Sequence, residues 1–445
     1  MFYGLGSHGT VRANKNSIKF IAVKTDNYAQ GYFVYDSKKA GAITVSHLRF
    51  GKKKIQSPYL ISTADFLACH NFSFLEKYDI LKNIKEGGTF LLTSMYDKDT
   101  VWEKIPGRVQ KQIIEKKLKV YVIDAIKIAQ ELGLGARINV IMQTAFFKIS
   151  QVIDEKVAIE AIKEAIQKTY GKKGEKVVSM NNAAVDKALD NIFEVSVPSE
   201  TTQPIEEITN VPESAPEFVK NVTSLMMKSE GDKIKVSQMP ADGTWPTGTT
   251  KYEKRNVAVN MPVWNPDTCV QCGKCSLVCP HAAIRPKVYD AKELEKAPEG
   301  FKATEPKGMK DAENMKYTLQ VAPEDCTGCG TCVQNCPMKA KEAISMQPQH
   351  PLREQEAANY SFFLDLPDTP HSQFVRNSMK GSQFITPLFE YSGACAGCGE
   401  TAYVKLLSQL FGDRLMIANA TRCSSIYGGN LPTTPYTKRP DGRVR

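Results

Sequence analysis

Eight cysteines fall in two runs of the same spacing: Cys269, Cys272, Cys275 and Cys279 before Pro280, then Cys326, Cys329, Cys332 and Cys336 before Pro337. Each run reads C-x2-C-x2-C-x3-C-P. Four thiolates are what a cubane of iron and sulfide requires, and this spacing lets three of them sit on one tight loop around it. In two-cluster ferredoxin sequences the last cysteine of each run ligates the other cluster. That rule assigns Cys269, Cys272, Cys275 and Cys336 to one [4Fe-4S] cluster, and Cys326, Cys329, Cys332 and Cys279 to a second. Structural zinc sites usually carry two separated cysteine pairs, which is a different pattern. A disulfide framework suits a short secreted chain, whereas this one has 445 residues and starts without a basic-then-apolar leader.

Three further cysteines share the C-terminal stretch. YSGACAGCGET places Cys395 and Cys398 at x2 spacing, and Cys423 follows in NATRCSSIYGGNLPTTPY. A third cluster built on them needs one more ligand than this chain supplies. The twelfth cysteine, Cys69, stands beside His70 next to an apolar segment, and both read as core or loop residues. Unpaired thiols in this number suit a reducing compartment, so the expected location is cytoplasmic or a hydrogenosome-like anaerobic organelle.

A second chemistry is suggested near the start, where FYGLGSHGT carries G-x-G-x-x-G at Gly4, Gly6 and Gly9. Glycines there let backbone amides approach an anion such as phosphate. Lys38 and Lys39 precede an alternating strand at residues 42–47 and are placed to meet an anionic ligand. Other strands are expected at Ile18–Val23, Tyr59–Ser62, Thr89–Thr93 and Lys119–Ile123, with helical stretches between them. Val157, Ala158, Ala161, Ile162, Ala165 and Ile166 share one helical face, and Gly171 is the expected cap. Alternating strands and helices imply an open α/β sheet with ligands at the carboxyl ends of its strands.

From Val197 to Glu217 the composition turns to Pro, Ser, Thr and Glu, as in a linker. A short helix is expected at Phe218–Met227, followed by extended chain that wraps a neighbouring domain. Residues 347–390 carry few pattern signals and read as a long connection. With 42% hydrophobic and 24% charged residues, the chain has an ordinary globular composition. Its net charge of +10 lies partly in runs such as Lys52–Lys54 and Lys116–Lys117. These lack interleaved aromatics, so they read as solvated faces and nucleic acid is not expected as a partner. Docking of an acidic electron carrier is compatible with that charge. No apolar run approaches the roughly 20 residues of a membrane span.

FYGLGSHGT, GYFVYDSKK, SHLRFG, GLGARINVIMQTAFFK, KYEKR, the doubled cysteine runs, SGACAGCGET and CSSIYGGNLPTTPY together resemble the middle of pyruvate:ferredoxin (flavodoxin) oxidoreductase. The resemblance implies an α/β gamma domain at 1–196, a linker at 197–216 and an extended EKR segment at 217–262. An α+β ferredoxin-like domain with two [4Fe-4S] clusters would follow at 263–346. A connection at 347–390 then leads to the truncated start of an α/β thiamine-pyrophosphate domain at 391–445. It further implies oxidative decarboxylation of pyruvate with coenzyme A to acetyl-CoA and CO2. Thiamine pyrophosphate with Mg is the expected electron sink, and ferredoxin or flavodoxin the acceptor. The complete enzyme is expected to be a homodimer, with its missing halves in a partner chain if it is split.

By the same resemblance, Cys395, Cys398 and Cys423 match ligands of a third [4Fe-4S] cluster, while Glu400 and Cys423 match positions beside thiamine pyrophosphate. Gly6, Ser7, His8, Gly9, Thr10, Lys38, Asn139 and Asn181 match coenzyme A contacts. The chain departs from the family at three positions: Asp is usual at His8, Gly at Arg12 and Gly at Arg422. Alternative readings are a stand-alone iron-sulfur electron carrier, a coenzyme A module, or part of a pyruvate:NADP oxidoreductase fusion.

Overall fold

The computed structural model describes residues 1–438 except Ser37, Ala136, Lys310 and Asp311; the Ser7 side chain also lies outside the described residues. The chain divides into two compact units, Met1–Asp36 with Ala42–Thr209, and Ser37–Gly41 with Asn210–Arg445.

The first unit is built on a seven-stranded sheet of order β2-β3-β1-β4-β5-β6-β7. Its strands are β1 (Phe2–Leu5), β2 (Tyr28–Tyr35), β3 (Ile43–Gly51), β4 (Ala64–Cys69), β5 (Ile84–Thr93), β6 (Lys119–Ile123) and β7 (Phe193–Glu194). Strands β1, β4, β5 and β6 are mutually parallel, whereas β2, β3 and β7 pair antiparallel. The helices are α1 (Thr10–Lys24), α2 (Phe74–Lys77), α3 (Gly107–Glu115), α4 (Ala125–Glu131), α5 (Asn139–Ser150), α6 (Glu155–Tyr170) and α7 (Glu175–Asp190). Helix α5 is buried on all sides from Val140 to Phe147, as its nearly continuous apolar sequence requires. Phe146 meets the rings of Phe2 and Phe66 edge-on at 5.0 and 5.1 Å. The carboxyl ends of the four parallel strands share one edge, so the glycine-rich turn after β1 and His70 after β4 lie on the side where such sheets bind ligands.

Several local expectations need correction. Ile18–Val23 is part of helix α1, not a strand. The buried face of α1 includes Asn14 and Ser17, and Gln143 of α5 donates to Ala13 O at 3.0 Å and Ser17 Oγ at 2.9 Å. Those buried polar positions break the apolar helical period. Tyr59–Ser62 is irregular, and β4 begins only at Ala64. Gly171 does cap α6, as expected, with right-handed backbone, and the positive φ, of 100°, comes at Gly174. Lys116 is structural, since its ammonium donates to the carbonyls of Leu81, Lys82 and Ile84 at 2.6, 3.1 and 3.0 Å. Residues 202–204 lie against α3, where the Gln110 side chain accepts from the amides of Thr202 and Gln203.

In the second unit a π-helical turn at Val219–Thr223 runs into α8 (Ser224–Met227), and short turns separate extended chain up to β8 (Asn260–Trp264). Then come α9 (Lys274–Leu277), β9 (Ile284–Asp290), β10 (Met315–Val321), α10 (Thr331–Gln334) and β11 (Ile344–Pro348). Two antiparallel pairs, β9 with β10 and β8 with β11, carry the two cysteine runs. Each run turns through a left-handed glycine, Gly273 or Gly330, into a four-residue helix. Residues 347–390 are not a plain connection. They contain α11 (Arg353–Asp365) and α12 (Met379–Ser382). Helix α11 was obscured because its buried side mixes Asn359 with Tyr360 and Phe363. The unit ends with α13 (Thr401–Phe411) and α14 (Cys423–Gly429). Among the described residues no helix is long and apolar enough to cross a membrane.

Candidate metal centres

The eight cysteines of the two runs surround two cavities, and each cavity takes three sulfurs from one run and one from the other. Cys269, Cys272, Cys275 and Cys336 line the first, together with Trp264, Tyr317 and Leu319. Cys326, Cys329, Cys332 and Cys279 line the second, with Pro262, His281 and Ile284. The crossed sets are therefore present in the fold. Among the described residues no three His, Cys, Asp or Glu side chains converge closely enough to hold a single ion. Four thiols spread around a void are the donor set that a four-iron cluster takes on its corners.

Burial, and after it the neighbouring Cys269 and Cys272, push the Cys275 thiol up to about 12. Burial likewise raises Cys326 and Cys332, with Cys279 the first cysteine acting on each. Such thiols ionise only when a cationic core replaces the proton, so metal loading releases protons. Two backbone amides already point at sulfur: Gln271 N to Cys269 Sγ at 3.3 Å and Gly328 N to Cys326 Sγ at 3.4 Å. Both donors are left-handed, with φ of 55° and 67°. Gly328 adopts this at no cost. Gln271 does so with its amide clamped to Glu305 O and Lys307 N, each at 2.7 Å, so the insert between the runs holds the first loop in place.

The Cys395–Cys398 stretch forms a turn in which Cys398 N donates to Cys395 O at 3.1 Å. A Cβ on Gly397 would stand 3.7 Å from Cys329 Cβ, so this turn abuts the second cavity. His281, from the wall of that cavity, reaches Ser392 O with Nδ1 at 3.2 Å. Cys423 opens α14, whose Tyr427 packs in one small cluster with Phe389, Ala394 and Cys398. Burial and then Glu400 raise the Tyr427 phenol. The structure thus brings Cys398, Glu400 and α14 together. Cys395 and Cys423 are exposed.

The charged triplet Glu253-Lys254-Arg255 lies in the KYEKR motif that carries the family resemblance, but no partners for its side chains were legible in the sequence, because three adjacent charges look like a solvated face. All three are engaged inside the second unit. Glu253 pairs with Lys38 at 2.6 Å, and Thr433 bonds to both. Lys254 pairs with Asp325, next to Cys326, at 2.7 Å. Arg255 donates to Ala40 O at 2.6 Å and to Tyr391 O and Ser392 O at 3.2 and 2.7 Å. Lys405 of α13 was also missed; it is buried and donates to Ser276 O and, at 3.2 Å, to Leu277 O. Burial brings it down to about 8.

Burial opposes the charge of Glu253, but Lys38 and Arg255 outweigh it and hold its pKa at about 2, against an ordinary 4.5. The stabilisation this carboxylate provides is complete above about pH 4.5 and is lost as pH falls from there through about 2. Denaturant unfolding followed from about pH 6 to about pH 4 should show the onset of this loss, and Glu253→Gln should flatten it. An unchanged slope in Glu253→Gln would contradict the assignment.

Of the expected coenzyme A positions, the first unit joins some and not others. Gly6 and His8 form a tight turn with the Ser7 backbone, Gly9 is left-handed at φ of 79°, and Thr10 starts α1. A Cβ on Gly9 would lie 3.2 Å from Asn139 Cγ, and one on Gly4 2.5 Å from Thr10 Oγ1. Thr10 Oγ1 lies 3.0 Å from His70 Nδ1. Burial lowers His8 to about 4; burial and then His8 lower His70 to about 3, so both are neutral at pH 7. Asn181 donates to Val177 O of its own helix at 2.8 Å. Lys38 belongs to the second unit, paired with Glu253.

Comparison with known proteins follows the same division. Residues 1–191 match the family described as pyruvate ferredoxin/flavodoxin oxidoreductase, residues 205–258 the EKR domain of unknown function, and residues 268–340 a 4Fe-4S dicluster domain. The pyruvate-flavodoxin oxidoreductase of Nostoc sp. is 57% identical over 100% of this chain and 38% of its own length. That of Trichormus variabilis is 55% identical over the same shares. The pyruvate:ferredoxin oxidoreductase of Moorella thermoacetica is 54% identical over 99% of this chain and 37% of its own. The chain thus spans less than two fifths of the length of these relatives. With its gamma-type α/β unit, its EKR stretch and its crossed cysteine sets, the chain matches, along its whole length, the middle segment of pyruvate-flavodoxin and pyruvate:ferredoxin oxidoreductases.

Proposed function

We propose that the chain serves as the middle segment of an enzyme that oxidatively decarboxylates pyruvate with coenzyme A to acetyl-CoA and CO2, passing electrons to ferredoxin or flavodoxin. The observation that carries this is the pair of cavities with crossed cysteine sets, in a chain related along its whole length to such oxidoreductases. Oxidation of a 2-oxoacid releases two electrons, whereas a ferredoxin takes one at a time, so one-electron centres must lie between them. Clusters supply that chemistry when bound. The residues of this chain hold them, exclude water with Trp264, Tyr317 and Leu319 at the first cavity, and direct amides at two sulfurs.

Within this reading, Cys395, Cys398 and Cys423 supply three ligands of a third cluster, beside the cavity of Cys326, Cys329, Cys332 and Cys279. Residues 391–445 are the start of a thiamine-pyrophosphate domain, where Glu400 and Cys423 lie beside the cofactor and its Mg. The 1–196 domain meets coenzyme A through Gly6, Ser7, His8, Gly9, Thr10, Asn139 and Asn181; Lys38 would have to exchange Glu253 to join them. Residues 197–216 are the linker, 217–262 the EKR segment, 263–346 the dicluster domain and 347–390 a connection that carries α11 and α12. The complete enzyme works as a cytoplasmic homodimer.

Iron and acid-labile sulfide per chain, measured after anaerobic reconstitution, test the proposal. About eight of each are expected from the two crossed sets. About twelve would add the third site with an outside ligand, and fewer than about four would overturn the reading. By itself this stretch is expected to show no pyruvate-dependent dye reduction, and robust turnover would contradict its role as one segment of the catalyst.

A further inference from the structure

Helix α13 directs one buried lysine at the end of α9, the short helix that carries Cys275 of one sulfur set and leads to Cys279 of the other. Lys405 donates to the carbonyls of Ser276 and Leu277, the last residues of α9. Ser276 directly follows Cys275, which lines the first cavity, and Leu277 lies two residues before Cys279, which lines the second. Cys279 and Cys275 are the two thiols that act electrostatically on the Lys405 ammonium. Lysines commonly cap helix C-termini in this way from the solvent side. Here the side chain is only 2% exposed and arrives from a different part of the chain, so the charge is fixed and poorly screened.

We propose that Lys405 is a positioning residue for electron transfer: it holds a fixed positive charge against α9, the short helix from which both sulfur sets draw a ligand within it or just beyond its end, and thereby raises the reduction potential of both clusters. The argument rests on the cluster reading above. A four-iron cluster with four thiolates gains a unit of negative charge on reduction, so a nearby buried cation stabilises the reduced form more than the oxidised one. Net charge and surrounding dipoles are among the factors that set cluster potentials. Because the cation belongs to α13, both potentials depend on the C-terminal stretch being seated against α9.

Lys405→Gln retains an N–H donor and removes the charge, whereas Lys405→Arg retains the charge. Both are compared with the parent chain after anaerobic reconstitution, by iron content and by redox titration followed through the electron paramagnetic resonance of the reduced clusters. The expected result is full iron in all three chains and more negative potentials for both clusters in Lys405→Gln. The expected size is about tenfold in the one-electron equilibrium, or about 59 mV, with Lys405→Arg close to the parent. Unchanged potentials in Lys405→Gln, or equal shifts in the two variants, would overturn the electrostatic role. A Lys405→Gln chain that loses iron would also overturn it, showing the residue to be needed for assembly. A parent chain without iron would instead sink the cluster reading itself, so the two failures are distinguishable.

Discussion

Cys336→Ala is expected to remove the cluster bound mainly by the first run, although Cys336 belongs to the second. The first cavity draws its fourth sulfur from Cys336 and the second draws its own from Cys279. Pairing substitutions turns this into a strong contrast. Cys272→Ala with Cys336→Ala removes two ligands of one cluster, so it should retain about four irons, as either single change does. Cys272→Ala with Cys279→Ala removes one ligand from each cluster and should leave close to none. Uncrossed ligation demands the reverse: the first pair would empty both sites and the second only one. Iron per chain after reconstitution, with the resonance spectrum of whichever cluster remains, decides between them.

Arg285→Met is expected to destabilise the second unit by about 3–5 kcal/mol, since it leaves a buried carboxylate uncompensated. Arg285 pairs with Glu390, donates from Nε to Ala282 O at 2.7 Å and lies over the Tyr391 ring at 5.1 Å. Both charged side chains are about nine-tenths buried. The double change Arg285→Met with Glu390→Leu should recover most of the loss, because an apolar pair in place of a buried ion pair is often neutral or stabilising. Denaturant unfolding of the reconstituted chains under anaerobic conditions measures both. A double variant as unstable as the single one would show that Ala282 and Tyr391, not Glu390, account for the role of Arg285.

The cysteine sets were legible in the sequence because ligation is written in local spacing, and the crossing came from the ligation rule of two-cluster ferredoxins. Strands β5 and β6 were legible through their apolar runs. What escaped the sequence depended on partners distant along the chain. Helix α1 hides its period because Asn14 and Ser17 face inward beside Gln143 of α5. In α11 a buried Asn359 does the same. Lys116 and Lys405 look like any surface lysine until the carbonyls they cap are known. His281 is the exception that carried a sequence signal: it follows Cys279 and Pro280 directly, at the wall of the second cavity.

The triplet Glu253-Lys254-Arg255 also has a consequence for length. Its three side chains are committed to three separate partners, Lys38 with Thr433, then Asp325, then the carbonyls of Ala40, Tyr391 and Ser392. A one-residue insertion or deletion there would shift every charge onto the wrong partner at once. The Pro-rich stretch upstream carries no such assignment over most of its length, and lengthening a flexible loop costs little, about 0.6 kcal/mol per doubling. The stretch upstream sets the reach of this segment, whereas the triplet sets its phase: one can drift in length, and the other is held to the single residue.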